Sequence, residues 1–287
     1  MSTPIRWRHD RPAWRRLKQE PRPLMMIKSA LGEMARAALA EPFMLAIERQ
    51  QIYLRRLPKV LDGLRIVHLS DFHYGPLTNS EHLKRAVRAA NDVRPDLIAL
   101  TGDYISHHRG YAAPCAELVG HLRARLGVYA VLGNHDHWTD AALICDLFQA
   151  EGIRMLVNEG MRVDVDEESF WLAGVNDTMV GLEDLTLALA GSRDDELKLL
   201  LAHNPIILRR AARAGVDLVL SGHTHGGQVI LRSERSRSGR PRRRLLRGLG
   251  RRRNTQIYVT RGLGTVVLPI RYGCPPEVSV LELRCMP

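Results

Sequence analysis

Five short segments hold nearly all the side chains in this chain that could do chemistry together. They are Asp71-Phe72-His73, Gly102-Asp103, Gly133-Asn134-His135-Asp136, His203 and Gly222-His223-Thr224-His225. Each presents Asp, Asn or His, the oxygen and nitrogen donors that suit Mn²⁺, Fe, Zn²⁺ or Mg²⁺. No cysteine stands among them, which argues against a thiolate ribbon that staples a fold around zinc. A mixed nitrogen and oxygen set instead suits a site that activates water.

Donors spread from residue 71 to residue 225 need a scaffold that brings them to one point. The text around them alternates strand and helix from residue 64 onward. Apolar runs at 64–69, 96–100 and 127–132 read as strands. Between and after them, helices are expected at 80–92, opened by Asn79 or Ser80, at 114–125, and at 140–150, capped by Thr139. Further strands are expected at 161–165, 170–175, 197–202, 216–220, 226–231, 255–260 and 278–283, with a helix at 205–213. The first half reads as βαβαβ with a parallel sheet, and the later part adds β-rich pairs. Asp71, Asp103, Asn134, His203 and His223 each follow a strand directly. Ligands of open α/β sheets bind beyond the carboxyl ends of strands, so five loops can converge on a single crevice.

A chain of 287 residues that is 45% hydrophobic can bury a full core. Its net charge of +11 resembles a nucleic-acid signature until it is located. The run from Arg232 to Arg253 carries +10 and residues 1–28 carry +6, so the body bearing the donors is mildly acidic, at −5. The Arg-rich run reads as a solvated insertion, as a patch for anionic lipid, or as a phosphate-backbone contact; the last lacks interleaved aromatics for stacking. Residues 1–23 read as poorly ordered, and 24–50 have helical apolar spacing with Lys28, Arg36 and Arg49 interleaved. That helix suits either an anionic membrane surface or packing on the domain or a partner. The expected organisation is a basic extension over 1–60 and a catalytic domain over 61–287. No spanning segment or signal peptide is expected, and Cys115, Cys145, Cys274 and Cys285, without paired spacing, read as reduced thiols of a cytoplasmic protein.

The series DFH, GD, GNHD, AHNP and GHTHGGQ, in this order, resembles the calcineurin-like metallophosphoesterase superfamily from about residue 62 to 284. The resemblance implies a layered αββα sandwich with a dimetal site at the carboxyl ends of the strands. It implies that Asp71, His73 and His225 hold one divalent ion, that Asn134, His203 and His223 hold a second, and that Asp103 bridges them. Mn, Fe, Zn and Mg all fit such donors. It further implies hydrolysis of a phosphodiester or pyrophosphate by a metal-bridging hydroxide, with His135 protonating the leaving oxygen and Asp136 holding its ring. The phrases LxGLRIVHLSDFHYGP, VYAVLGNHDHW, DLVLSGHTHGGQV and GLGTVVLPIRYGCPPEVSVLEL resemble a bacterial membrane-associated branch. That branch includes enzymes that cleave UDP-2,3-diacylglucosamine in lipid A synthesis. A lipid-linked substrate and peripheral contact at the inner face of an anionic membrane are the corresponding expectations. A nucleic-acid phosphodiesterase and a non-catalytic scaffold are the competing ones.

Several neighbours have plainer readings beside the functional one. His68 lies in an apolar strand and reads as a core or supporting residue. His107 and His108 suit either the substrate mouth or a surface loop, and His137 and Trp138 either position substrate or cap the next helix. Ser106 stands where many relatives have Asp, three residues after the expected bridging carboxylate. Gly226 and Gly227 are expected to allow close backbone approach after the last donor.

Overall fold

A computed structural model describes residues 22–106, 108–230 and 246–287. The expectations for residues 1–21, for His107 and for most of the Arg-rich run, residues 231–245, lie outside the described residues. The chain divides into two units at Arg36 and Ala37. The described part of the first is helical: α1 spans Arg22–Ala40, and within it the Arg36 side chain donates to the Gly32 carbonyl one turn back. No helix among the described residues is long and apolar enough to cross a membrane.

The helix expected over 24–50 stops at Ala40, because Pro42 has no N–H to continue it and a 3₁₀ turn, Glu41–Phe43, follows. The chain then extends into β1 (Ala46–Leu54), which pairs in parallel along its whole length with β12 (Glu277–Cys285). The sheet therefore starts well before residue 61, where the extension was expected to end. β1 is an edge strand with only Ile52 and Leu54 buried, so it carries little alternation to announce it.

The first sheet runs β1, β12, β2 (Arg65–Leu69), β3 (Leu97–Leu100), β4 (Val128–Ala130) and β5 (Arg154–Met155). From β2 to β5 all neighbours are parallel, as the βαβ reading requires. The second sheet runs β10 (Gly248–Arg252), β11 (Thr255–Val259), β9 (Leu218–Ser221), β8 (Lys198–Leu201), β7 (Glu168–Gly174) and β6 (Glu159–Val165). β7, β8, β9 and β11 are parallel, with antiparallel β6 and β10 at the two edges.

Period-two alternation assigns each side chain to a layer. Ile66, Leu97 and Ala99 face the second sheet, where they meet Phe170, Leu172, Leu199 and Leu218. Val67, Leu69, Ile98 and Leu100 face α2 (Ser80–Asp92), α3 (Ala112–Val119), α4 (Asn134–Thr139) and α5 (Ala141–Ala150), packing on Leu83, Val87, Ile144 and Phe148. The outer face of the second sheet packs through Leu200, Val219 and Ile257 on Ala188 and Ala211 of two single-turn helices. The layers are thus α, β, β, α, the expected sandwich. The Asn79 side chain caps α2 by accepting the His82 N–H, and Asp140, rather than Thr139, caps α5 by accepting from Leu143. The strand expected at 226–231 is instead a 3₁₀ turn, His225–Gly227, because Gly226 and Gly227 take φ of 59° and 90°.

Candidate metal centre

The parallel strands deliver the donors to one end of the sandwich. Asp71, Asp103 and Asn134 follow β2, β3 and β4, while His203 and His223 follow β8 and β9. Across that junction, His225 Nε2 stands 3.3 Å from Asp71 Oδ1 and 3.1 Å from His73 Nε2. His203 Nε2 lies 3.2 Å from His223 Nδ1 and 3.1 Å from Asp103 Oδ2. The same Asp103 oxygen lies 3.5 Å from His73 Nε2, so one carboxylate reaches both histidine pairs.

Nitrogens bound to one cation at about 2.1 Å stand about 3.0–3.4 Å apart, the spacing of both pairs. Asp71, His73 and His225 form one group that could hold an ion; Asp103, His203 and His223 form another; His73, Asp103 and His135 form a third. Beside them the buried Asn134 Oδ1 has no hydrogen-bond partner among the described residues, as a carbonyl donor kept for a cation would. The donor set therefore fits divalent metal.

Ring orientation is fixed from behind. His203 Nδ1 faces the Thr101 carbonyl at 2.6 Å, and His73 Nδ1 faces the Ser106 hydroxyl at 2.8 Å. Both bonds turn Nε2 toward the cluster, the usual support for an imidazole ligand. Ser106 thus does with a hydroxyl what a carboxylate at that position could do with charge. His68 bonds Thr101 Oγ1 at 2.8 Å and is fully buried, in the supporting position expected of it.

Burial holds His73 neutral, with a pKa near 3, and also keeps His225 well below the ordinary value. Burial raises Asp71 to about 6. Asp103 behaves differently: burial pushes it up, but His203 and His73 outweigh that and hold it far below the carboxylate range. Burial disfavours a charged His203, yet Asp103 and Asp71 raise it to about 10. A cation bound here would displace that proton.

The backbone is unusual where the donors sit. Asp71, His73, Asp103, His223 and His225 all have φ between 44° and 68°. Non-glycine residues seldom adopt that region, and such strain concentrates at functional sites. Sequence reasoning gave no signal of it.

Asp136 is fully buried, and its carboxylate accepts the N–H groups of Asp103, Tyr104 and Gly133, each at 2.8 Å. Those bonds tie the loops after β3 and β4 together, a function distinct from the expected grip on the His135 ring. Burial and then Asp103 raise its pKa to about 7. His135 donates its backbone N–H to Asp103 Oδ1, and its ring lies 4.8 Å from that of His73 and 4.9 Å from that of exposed Trp138. His137 is half-buried and bonds Asn176 Oδ1 at 2.6 Å, while His108 accepts from Gly110 in a surface turn.

A sixth loop, after β11, went unrecognised. Leu263 and Gly264 donate to the Ser70 and Asp71 carbonyls, and Gly262, at φ 71°, passes so close to Asp71 that a Cβ would stand 2.5 Å from its own Cβ. This loop is gripped by Arg271, a fully buried guanidinium that donates to the carbonyls of Arg261, Gly262, Gly264 and Cys274. It also comes within 3.5 Å of His225 Nδ1. Glu41 in turn accepts the N–H groups of Gly273 and Cys274. Gly226 bears out its expected role: a Cβ there would meet Cys274 Sγ at 2.5 Å.

A family model described as calcineurin-like phosphoesterase matches residues 64–227. A transmembrane protein with metallophosphoesterase domain from Bos taurus is 31% identical over 290 residues, covering 95% of this chain and 64% of that protein. The uncharacterized metallophosphoesterase YkuE of Bacillus subtilis (strain 168) is 32% identical over 261 residues, covering 89% of this chain and 91% of that one. Phosphodiesterase YaeI of Escherichia coli (strain K12) is 30% identical over 228 residues, covering 76% and 82%. The chain spans less than two thirds of the length of this Bos taurus relative and of a similar one from Danio rerio, at 64% and 56%.

Proposed function

Because the chain belongs to the calcineurin-like phosphoesterase family, we propose that it hydrolyses a phosphodiester or pyrophosphate bond at the cluster between its two sheets. In this reading Asp71, His73 and His225 hold one divalent ion, Asn134, His203 and His223 hold a second, and Asp103 is shared. The observation that carries it is the pair of facing imidazole nitrogens on either side of one carboxylate. Divalent cations in such a site supply Lewis-acid stabilisation of the phosphoryl oxygens and acidify the attacking water. The chain's own residues do the rest. Ser106 and the Thr101 carbonyl orient ring nitrogens, Asp136 fixes the distance between two donor loops, and His135 delivers a proton to the leaving oxygen.

The lipid-linked substrate, of the kind represented by UDP-2,3-diacylglucosamine, is the finer form of the proposal. Its support is the set of local phrases that resemble the membrane-associated branch, together with the two basic segments. The test is turnover of bis(p-nitrophenyl) phosphate with Mn²⁺, Mg²⁺, Zn²⁺ or Fe²⁺, followed by UDP-diacylglucosamine against simple nucleotide diesters. Absence of hydrolysis with every one of these metals would overturn the enzymatic reading in favour of a scaffold. Preference for the nucleotide diesters would overturn the lipid-linked form alone.

A further inference from the structure

The Gln228 side chain, next to the last donor loop, makes an unusual set of bonds. Its amide NH₂ donates to the Val266 and Leu268 carbonyls at 3.1 and 3.2 Å, and its oxygen accepts the Val266 N–H at 3.2 Å. One side chain thereby grips the backbone on both sides of Val267. Val267 is held at φ 66°, a conformation β-branched residues rarely adopt, with 82% of its surface exposed. A hydrophobic residue forced outward in this way calls for an account, since strained conformations persist where the surroundings over-determine them.

What Val267 borders supplies one. A cleft of about 120 Å³ is lined by the candidate ligand His73 and its partner Ser106, by Pro76 and Leu77, and by Thr265, Val266 and Val267. Leu77 also lines a second, smaller hollow with Pro42 and Phe43. Leu77, Phe43 and Leu268 are all exposed. Apolar residues beside a candidate ligand suit a molecule with a phosphoryl group at one end and hydrocarbon next to it. Because His73 belongs to both cluster and cleft, the cleft lies within reach of a substituent on a phosphoryl group seated on the donors.

We propose that the cleft between Leu77 and Val267 receives an alkyl or acyl substituent of the phosphoester, which makes these two residues determinants of specificity. The inference rests on the phosphoesterase reading above, and it is tested by binding rather than turnover. Methyl-, butyl- and octylphosphonate, each below its micellar concentration, would be titrated calorimetrically into the Mn²⁺-supplemented protein. Affinity is expected to rise by about two- to fourfold per added methylene, the gain that burial of one methylene allows. Val267→Ser and Leu77→Ser are each expected to reduce the octyl-to-methyl affinity ratio by about tenfold, and both positions are exposed enough to spare folding. Equal or undetectable binding along the series, or a ratio untouched by both substitutions, overturns the proposal. A gain that appears only with vesicles of anionic phospholipid also overturns it, since the apolar surface would then be a bilayer contact. Failure to hydrolyse bis(p-nitrophenyl) phosphate while the chain-length dependence persists would sink the catalytic reading and leave the cleft assignment standing.

Discussion

The two halves of the donor cluster are built differently, although each contributes a pair of facing imidazoles. Asp71, His73 and His225 all sit on left-handed backbone and are backed by the loop after β11, which the buried Arg271 clamps. On the other side His223 is left-handed too, at φ 68°, but Asn134 and His203 are not, and His203 hangs from a single carbonyl, that of Thr101. Thr101 is in turn steadied by His68, a neutral buried ring. One half is strained at all three donors and braced by a guanidinium; the other, strained at His223 alone, is the more relaxed and is braced by neutral groups. The strained half needs a clamp from a distant part of the chain, whereas the relaxed half is supported by the strands that carry it.

The largest expected effect tests where His135 belongs, since it stands next to His73 and Asp103. His135→Ala should lower turnover of bis(p-nitrophenyl) phosphate by about 10²–10⁴-fold while bound metal, measured by mass spectrometry, stays at the wild-type level. Lost metal would move His135 into the strained half as a ligand. Next comes the support of the relaxed half. Burial holds His68 at about 3, below the ordinary histidine value of 6.5, so its contribution to stability is complete above pH 6.5. That contribution, on the order of a few kcal/mol, is lost as pH falls from 6.5 toward 3. Denaturant titrations of metal-stripped protein at pH 7.5 and 5 should show a smaller loss in His68→Leu than in wild type. An identical loss would mean that His68 charges without cost.

Arg271→Met should weaken one of two Mn²⁺ affinities by about 10–100-fold in calorimetric titration, as removal of supporting partners does elsewhere. Equal weakening of both would erase the distinction between the halves. Circular dichroism would separate this from loss of fold, because four carbonyls lose their donor. The smallest effect is expected for Ser106→Ala, which removes one hydrogen bond from His73. About a two- to tenfold loss of affinity on the same side corresponds to one such bond.

The relaxed half was legible in the sequence because each of its donors directly follows an apolar strand. The donors of the strained half were legible too, as DFH and GHTH, but their conformation was not. Left-handed φ at Asp71 or His225 leaves no trace in residue type, since neither is glycine. Arg271 escaped for another reason: it lies 46 positions from His225, with no periodicity to link them, and amid many other arginines. β1 was misread as helix because an edge strand with two buried residues lacks a clear alternation. Asp136 also accepts three backbone amides, a function that only the approach of two loops can reveal.

The place of β12 has a consequence for biosynthesis. It lies between β1 and β2, although it comes after every other described strand in the sequence. A nascent chain that has exposed all seven donors, through His225, still lacks both the strand that joins β1 to the sheet and the arginine that braces the Asp71 loop. Polypeptide halted at that stage presents β2 as an open sheet edge, where pairing with other chains competes with folding.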